Sequence, residues 1–103
     1  MNLGIVITDH SYSDLAMGLA RAASDRGWQL RCFLTDSGVR LLEDLSFLEL
    51  CGADNYWVAL CELSLERYQV NEKPALEMVP KIIVGGQYQD AELVKNSDRV
   101  LVF

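Results

Sequence analysis

Residues 3–8 read LGIVIT, residues 9–14 read DHSYSD, and the change between them indicates a strand that leads into a helix. The first stretch is a short apolar run rich in β-branched residues, which is typical of a buried strand. The second holds several residues that favour turns and helix caps. From Leu15 to Ala23 apolar residues recur at helical spacing, and Gly27 supplies a stop.

The same alternation continues along the rest of the chain. Further strands are predicted over residues 28–34, 56–60, 81–84 and 99–103. Further helices are predicted over residues 39–50, 62–69 and 90–96. Gly52 is expected to end the first of these helices in a left-handed conformation. Residues 71–80 hold both prolines and are predicted as a connection with at most a turn of helix.

Strands that alternate with helices imply right-handed crossovers and a sheet covered on both faces. We therefore predict an α/β fold with three α/β/α layers and a mostly parallel five-stranded sheet. One domain is expected to span residues 1–103. The pattern does not specify the order of the strands.

Composition bounds the class of protein. The chain has 103 residues, 50% of them hydrophobic and 23% charged, which is typical of a folded globular protein. Nine Lys and Arg against 15 Asp and Glu give a net charge of -6, which repels phosphate backbones and anionic membranes. No apolar run reaches the roughly 20 residues of a spanning helix, and the N-terminus lacks signal-peptide features. We expect no nucleic-acid or membrane partner and a cytoplasmic location.

The cysteines indicate reduced thiols rather than a disulfide framework. There are three, Cys32, Cys51 and Cys61, without a CxxC pair or a Cys/His cluster at zinc-site spacing. Cys32 occupies an alternating strand position and Cys51 stands among leucines, so both are predicted to pack in the core. No GxGxxG or GxxxxGK[ST] motif indicates a nucleotide site. We therefore expect neither a metal nor another cofactor.

Cys61 stands where the third predicted strand ends and a helix begins. The start of a helix lowers the pKa of a thiol and favours the reactive thiolate. Ser64 is placed to hydrogen-bond the thiolate and Arg67 to add positive charge, whereas Glu62 acts in the opposite direction. We predict a catalytic set of Cys61, Ser64 and Arg67. The alternative is that Cys61 is a small buried hydrophobic residue.

Ligands of such sheets gather at the carboxyl ends of the strands, so the loops that follow the strands supply candidate substrate-binding residues. Six residues in these loops are candidates: His10, Ser11, Tyr12, Asp36, Gly85 and Gly86. The histidine is the only one in the chain and a candidate acid/base group. Several of these candidates have a structural alternative: His10 as a solvated or capping residue, Asp36 as a helix cap, and Gly85 with Gly86 as a tight turn.

The chain resembles the DsrE/DsrF-like family of small sulfur-relay proteins. The likeness covers nearly the whole chain and includes four stretches: SYS at 11–13, FLTDSGV at 33–39, GAD at 52–54 and SDRVLVF at 97–103. Carriers of that family present a cysteine just after the third strand, where Cys61 stands. The resemblance implies a thiolate that accepts sulfane sulfur, holds it as a persulfide and yields it to an acceptor protein. It also implies a homotrimer, a homohexamer or a mixed hexamer with related subunits.

One departure from the family concerns residues 62–68, which read ELSLERY. Carriers commonly follow the cysteine with small residues and an Arg-Gly pair. Arg67 is the counterpart of the arginine here, and the glycine is missing. The departure is compatible with a relative that has kept the fold and lost the transfer.

We interpret the chain as a cytoplasmic sulfur-relay protein, with sulfurtransferase or sulfur-carrier activity at Cys61 and with protein donors and acceptors. One alternative is a CxxS thiol-redox protein that forms mixed disulfides. The other is a non-catalytic structural or ligand-binding subunit of a DsrE-like oligomer. A surplus of aromatic residues favours a subunit interface, with core packing as the rival explanation: Tyr56, Trp57, Tyr68 and Tyr88.

Overall fold

A parallel sheet of five strands forms the centre of the fold. The computed structural model describes residues 1–103. The strands are β1 Asn2–Ile7, β2 Gln29–Leu34, β3 Tyr56–Cys61, β4 Ile83–Gly85 and β5 Arg99–Val102. They lie in the order β4-β3-β2-β1-β5, and every neighbouring pair is parallel. The predicted α/β class and five-stranded sheet are confirmed, and the sheet is wholly parallel.

Helices cover both faces of this sheet. The α-helices are α1 Ser13–Asp25, α2 Leu45–Cys51, α3 Glu62–Arg67, α4 Lys73–Met78 and α5 Gln87–Asn96, and 3₁₀ helices span His10–Tyr12 and Asp36–Glu43. None of them combines the length and apolar character needed to cross a membrane. Strands β1 to β4 follow one another in one direction, so right-handed crossovers place α1 to α4 on one face. The chain returns to β5 at the other edge through α5, which therefore lies on the opposite face.

The two faces are buried to different extents. The face below α1 to α4 carries a cluster of 24 buried residues, which includes Cys32 and Cys51 as predicted. The face below α5 carries four buried residues: Val6, Phe33, Ala59 and Leu93. Cys61 packs against this smaller cluster. Its side chain therefore lies on the face that has a single covering helix.

The segment predicted as one helix over 39–50 consists of two. The long 3₁₀ helix and α2 replace it, and Asp44 between them is extended, with φ −99° and ψ 114°. The Asp44 carboxylate accepts the N–H groups of Ser46 and Phe47 at 2.8 and 3.3 Å, which caps α2 and stabilises the break. Gly52 has φ −69°, so the predicted left-handed cap is absent.

Two later segments are more helical than predicted. The connection over 71–80 contains α4, and Pro74 lies in the first turn of this helix. Proline lacks an N–H, but an N–H in the first turn would have no hydrogen-bond partner within the helix. The helix predicted over 90–96 begins at Gln87, directly after β4. The prolines were therefore wrongly interpreted as evidence against a helix, since Pro74 lies in the first turn of α4.

Candidate functional site

Cys61 lies at the carboxyl end of β3, with a neighbouring strand on each side. In the strand register Leu60 pairs with Leu34 of β2, and Cys61 pairs with Gly85 of β4. Thr35 follows Leu34, as Cys61 follows Leu60, and so lies beside the cysteine. The ends of three strands therefore meet around the Cys61 thiol.

Cys61 is also the N-cap residue of α3. Its backbone is extended, with φ −83° and ψ 118°, and the helix begins at the next residue. The first N–H groups of a helix have no partner within it, and those of Leu63 and Ser64 favour the Cys61 thiolate and lower its pKa, although the Cys61 side chain makes no capping hydrogen bond to α3. The Cys61 side chain is partly exposed, whereas the other two cysteines are buried. The thiol is thus partly exposed at the start of a helix.

The three thiols differ in pKa. At Cys61 burial raises the pKa, but hydrogen bonds to the thiolate outweigh burial, and the pKa lies below the ordinary cysteine value of 9.0. The donors, in decreasing order of effect, are the hydroxyl and N–H of Ser64, the N–H of Leu63 and the hydroxyl of Thr35. Burial raises the pKa of the two buried thiols, that of Cys51 to about 12. Near neutral pH, Cys61 is the thiol that its surroundings favour as a thiolate.

Ser64 connects the start of α3 to the end of β2. Its side chain is only 4% exposed. The hydroxyl oxygen accepts the N–H of Asp36 at 2.9 Å and lies 3.4 Å from the Thr35 hydroxyl. Asp36 has φ 48°, in the left-handed region that residues other than glycine seldom adopt. Ser64 thus belongs to a hydrogen-bond network that reaches back to the end of β2, and its predicted bond to the Cys61 sulfur stays a prediction.

Arg67 pairs with Asp36. The guanidinium Nη1 lies 3.4 Å from the Asp36 carboxylate oxygen, and the two side chains are 67% and 51% exposed. An exposed pair of this kind contributes at most about 1 kcal/mol. This contact joins two residues that were predicted separately, one as catalytic and one as substrate-binding. An effect of Arg67 on the Cys61 thiolate stays a prediction.

His10, Ser11 and Tyr12 form an exposed 3₁₀ turn after β1. The Asp9 carboxylate accepts both the N–H and the hydroxyl of Ser11, at 2.9 and 2.8 Å, and these bonds lower the pKa of Asp9. The His10 N–H donates to the Ser37 hydroxyl at 2.9 Å, which ties the turn to the start of the long 3₁₀ helix. Because β2 separates β1 from β3, this turn lies about 10 Å to the side of Cys61. Its part in substrate binding stays a prediction.

The glycine pair joins β4 to α5 without the predicted tight turn. Gly85 is the last residue of β4, and Gly86 caps α5 with an extended φ of −168°. The Gly86 N–H donates to the side-chain oxygen of Gln89 at 2.8 Å. A Cβ at Gly85 would lie 2.1 Å from that same oxygen, so the glycine leaves room for the folded-back glutamine. Gly85 lies beside Cys61 in the register, so this glutamine cap borders the site.

Thr35 and Ser37 are the site residues that the sequence analysis did not single out. Both stand in the polar stretch after β2 that was predicted as a loop. Thr35 lies next to the cysteine only because β2 is the neighbour of β3, and Ser37 holds His10 only because β2 is also the neighbour of β1. Knowledge of the strand order would have identified both.

No three or more His, Cys, Asp or Glu side chains lie close enough together to hold a metal ion. The chemistry that the site supports is that of a stabilised sulfur anion. Hydrogen-bond donors of α3 and of Thr35 lower the pKa of the Cys61 thiol, which is partly exposed. Such a site favours nucleophilic attack by sulfur and its departure as a thiolate.

Fold and site together define a class: a three-layer α/β/α protein with an accessible thiol where a parallel strand meets a helix. The sequence model of the DsrE/DsrF-like family matches residues 1–103, and the chain belongs to this family. The family is generally linked to sulfur relay. No curated protein matches the chain at a significant level. The resemblance based on the sequence motifs is thereby confirmed.

Proposed function

We propose that the protein carries sulfane sulfur as a persulfide on Cys61 and passes it between protein partners. The environment of this thiol carries the proposal: it is partly exposed, it lies at the start of α3, and neighbouring hydrogen-bond donors lower its pKa. Membership of a family linked to sulfur relay supports the same function. A reducing compartment such as the cytoplasm keeps a carrier thiol free between transfers, and we place the relay there.

Loading is an exchange at sulfur. The Cys61 thiolate attacks the outer sulfur of a cysteine persulfide on the donor protein. A new S–S bond forms at Cys61, the S–S bond of the donor breaks, and its electron pair leaves with the donor cysteine as a thiolate. The sulfane sulfur keeps its oxidation level, so the step requires no separate oxidant or reductant.

Unloading repeats the exchange in the opposite sense. A thiolate of the acceptor protein attacks the outer sulfur of the Cys61 persulfide, and Cys61 leaves as a thiolate. The Ser64 hydroxyl and the N–H groups at the start of α3 stabilise this leaving group as they stabilise the nucleophile. The same four donors therefore assist both halves of the relay.

The loops beside Cys61 are proposed to receive the partner. Six residues on them are assigned to this contact: His10, Ser11, Tyr12, Asp36, Gly85 and Gly86. Support comes from their position at the carboxyl ends of β1, β2 and β4 and from the exposure of the first four. Arg67, through its pair with Asp36, completes this rim on the α3 side.

We further propose that the protein works as an oligomer, either a homotrimer or homohexamer or an assembly with related subunits. Several large apolar side chains are strongly exposed, among them Leu63 at 73%, Tyr88 at 71% and Val102 at 66%. Exposed apolar surface of this kind is typical of interaction sites. Of the aromatic residues considered for an interface, Tyr56 is buried in the core, which leaves three. Native mass spectrometry tests the assembly, and a monomer at every concentration contradicts it.

Mass spectrometry of the loaded protein tests the carrier function. The protein is incubated with glutathione persulfide, alkylated and digested. We expect the peptide that contains Cys61 to gain the mass of one sulfur atom. Cys61→Ser removes this gain, while Cys51→Ala, which removes a buried thiol, retains it.

The two alternative functions give different results in the same experiment. A glutathione adduct on Cys61 without added sulfane sulfur indicates the CxxS redox protein. Failure of Cys61 to react with either the persulfide or an alkylating agent at neutral pH indicates a structural or ligand-binding subunit. Either result refutes the carrier.

A further inference from the structure

The net charge of the protein is concentrated at one edge of the sheet, where β1 to β4 have their carboxyl ends. Four segments follow these ends: 8–14, 35–44, 62–67 and 86–90. They carry eight acidic and two basic residues, and the rest of the chain carries seven of each sign. The whole formal charge of -6 therefore belongs to these four segments, which we call the acidic edge.

The segments of the acidic edge form one surface around Cys61. His10 of the first segment lines the same depression as Arg40, Glu43 and Asp44 of the second. The Asp36 carboxylate of the second segment pairs with Arg67 of the third, which begins directly after the thiol. The fourth follows Gly85, the register partner of Cys61. The acidic side chains therefore surround the end of β3 that carries the thiol.

Most of this charge is exposed and is not neutralised within the protein. Six of the eight acidic side chains are exposed: Asp9, Asp14, Asp36, Glu43, Glu62 and Glu66. Both basic residues are already engaged, since Arg67 pairs with Asp36 at 3.4 Å and the Arg40 guanidinium lies 5.4 Å from the centre of the Tyr68 ring. Glu62 and Glu66 lie one turn apart on α3 and have no cationic partner.

The arrangement favours one kind of partner. The acidic groups are spread over the edge, and no three of them lie close enough together to hold a metal ion. A second copy of the chain would bring the same charge to this edge and would be repelled, as would a phosphate backbone or an anionic membrane. A protein surface with clustered Lys and Arg would be attracted. Leu63, between the two glutamates and 73% exposed, offers such a surface an apolar contact.

We propose that the acidic edge is a docking surface for a basic protein partner, whose reacting cysteine lies among Lys and Arg side chains. The inference rests on the proposed function, because it names the partner that exchanges sulfur with Cys61. Exposed charges act over about 8–10 Å at physiological ionic strength, and Glu62 is the residue next to Cys61 in the chain. The acidic edge thus selects the partner at the point where the two thiols meet.

Peptides of opposite charge provide the test. One peptide has a cysteine flanked by lysines and the other has a cysteine flanked by glutamates, and each cysteine is activated as a 2-pyridyl disulfide. The Cys61 thiolate attacks the peptide sulfur, a mixed disulfide forms, and pyridine-2-thione leaves with the electron pair of the broken S–S bond. The quantity measured is the ratio of the two rates, divided by the same ratio for 2-mercaptoethanol. Changes in the thiolate population of Cys61 cancel in this ratio.

We expect the corrected ratio to favour the lysine peptide by about 10-fold at about 0.1 M ionic strength, as electrostatic steering provides. At about 1 M salt, where charges act over about 3 Å, it should fall to within about 2-fold of unity. A corrected ratio near unity at the lower ionic strength overturns the proposal, as does a preference that salt leaves unchanged.

Two double variants locate the preference. Glu62→Gln with Glu66→Gln removes two charges beside the thiol, and we expect the ratio to fall about 3-fold. Glu49→Gln with Asp54→Asn removes two exposed charges near the amino end of β3, about 20 Å from its carboxyl end, and should change the ratio by less than about 1.5-fold. An equal fall in both assigns the preference to net charge alone and overturns the docking surface. If the first variant does not fold, the single substitution Glu66→Gln replaces it, with Glu49→Gln as its control.

Sulfur loading distinguishes this proposal from the carrier function. A charge preference that the α3 variant weakens, in a protein that never takes up sulfane sulfur, refutes the carrier and leaves the docking surface. Normal uptake on Cys61 with equal rates for the two peptides refutes the docking surface and leaves the carrier.

Discussion

Replacement of Ser64 by Ala is the most direct test of what stabilises the Cys61 thiolate. The Ser64 hydroxyl is the largest of the hydrogen-bond effects that lower the pKa of this thiol. It also accepts the Asp36 N–H at 2.9 Å from a position that is 4% exposed. The substitution therefore removes a donor from the sulfur and an acceptor from a partly buried backbone group.

The size of the effect follows from the usual strength of a hydrogen bond to a charged group. A hydrogen bond to a charged group contributes about 1.5–3 kcal/mol, and one pKa unit corresponds to about 1.36 kcal/mol. Because Cys61 is partly exposed, water replaces part of the lost bond, so we expect the lower end of this range, a rise of about one unit. At pH values below both pKa values the thiolate population, and with it the alkylation rate, falls about 10-fold. The unpartnered Asp36 N–H lowers the free energy of unfolding by about 1–3 kcal/mol.

Ser13→Ala is the matched control for this substitution. Ser13 is 6% exposed, and its hydroxyl donates to the His10 carbonyl at 2.6 Å, at the far side of β2 from Cys61. The assay is the pH dependence of the Cys61 alkylation rate, together with chemical denaturation of both variants. We expect a comparable loss of stability in both and a raised pKa in Ser64→Ala alone. The reasoning is refuted if the pKa is unchanged in Ser64→Ala or rises equally in the control.

Three further predictions concern the thiols and the backbone. In the folded protein a limiting amount of alkylating agent is expected to modify Cys61, at a rate that rises with pH and levels off below the ordinary cysteine pKa of 9.0. The two buried cysteines are expected to react only after denaturation. Equal labelling of all three cysteines in mass spectrometry contradicts this prediction. Gly38→Ala places a Cβ 2.1 Å from the Ile7 carbonyl oxygen and should destabilise the fold by several kcal/mol. In Gly18→Ala, within α1, the new Cβ meets no atom within 4 Å and should stabilise the fold by about 0.5–1 kcal/mol. Thermal unfolding of both variants measures these changes. Asp44→Ala removes the cap of α2 and should lower the free energy of unfolding by about 1 kcal/mol in denaturant titration, and no change would exclude a stabilising cap.

The parts of the fold that the sequence predicted are those encoded by local periodicity. The apolar run at residues 3–8 and the alternation of apolar and polar residues at 28–34 both predicted strands, and both segments form strands. The break at Asp44 was missed because leucines continue at helical spacing on both sides of it, so periodicity hides the point where the chain becomes extended. Pro74 was misinterpreted for the opposite reason: a residue that interrupts helices also fits their first turn.

The site was predictable in one half only. Cys61 could be located because the apolar run of β3 ends at it and a helix follows. The contributions of Thr35 and of the Asp36 N–H could not be predicted, because they depend on which strands are neighbours and on the backbone φ angle at Asp36. Ser64 was predicted as a donor to the thiolate, but its second contact belongs to the tertiary structure. Contacts between a side chain and the backbone of a distant residue depend on tertiary packing, so the spacing of residues in the sequence does not predict them.

A sulfur carrier needs a thiol that is suited to two opposite tasks. In the proposed loading step Cys61 is the nucleophile, and nucleophilicity falls as the pKa falls. In the proposed unloading step it is the leaving group, and departure becomes faster as the pKa falls. A strongly lowered pKa favours the second step at the expense of the first, and an ordinary pKa leaves too little thiolate for either. Burial acts against the thiolate at Cys61, while hydroxyl and N–H donors act for it, and the net change is a lowering. These donors favour the thiolate, which is the form that both steps of the proposed relay require.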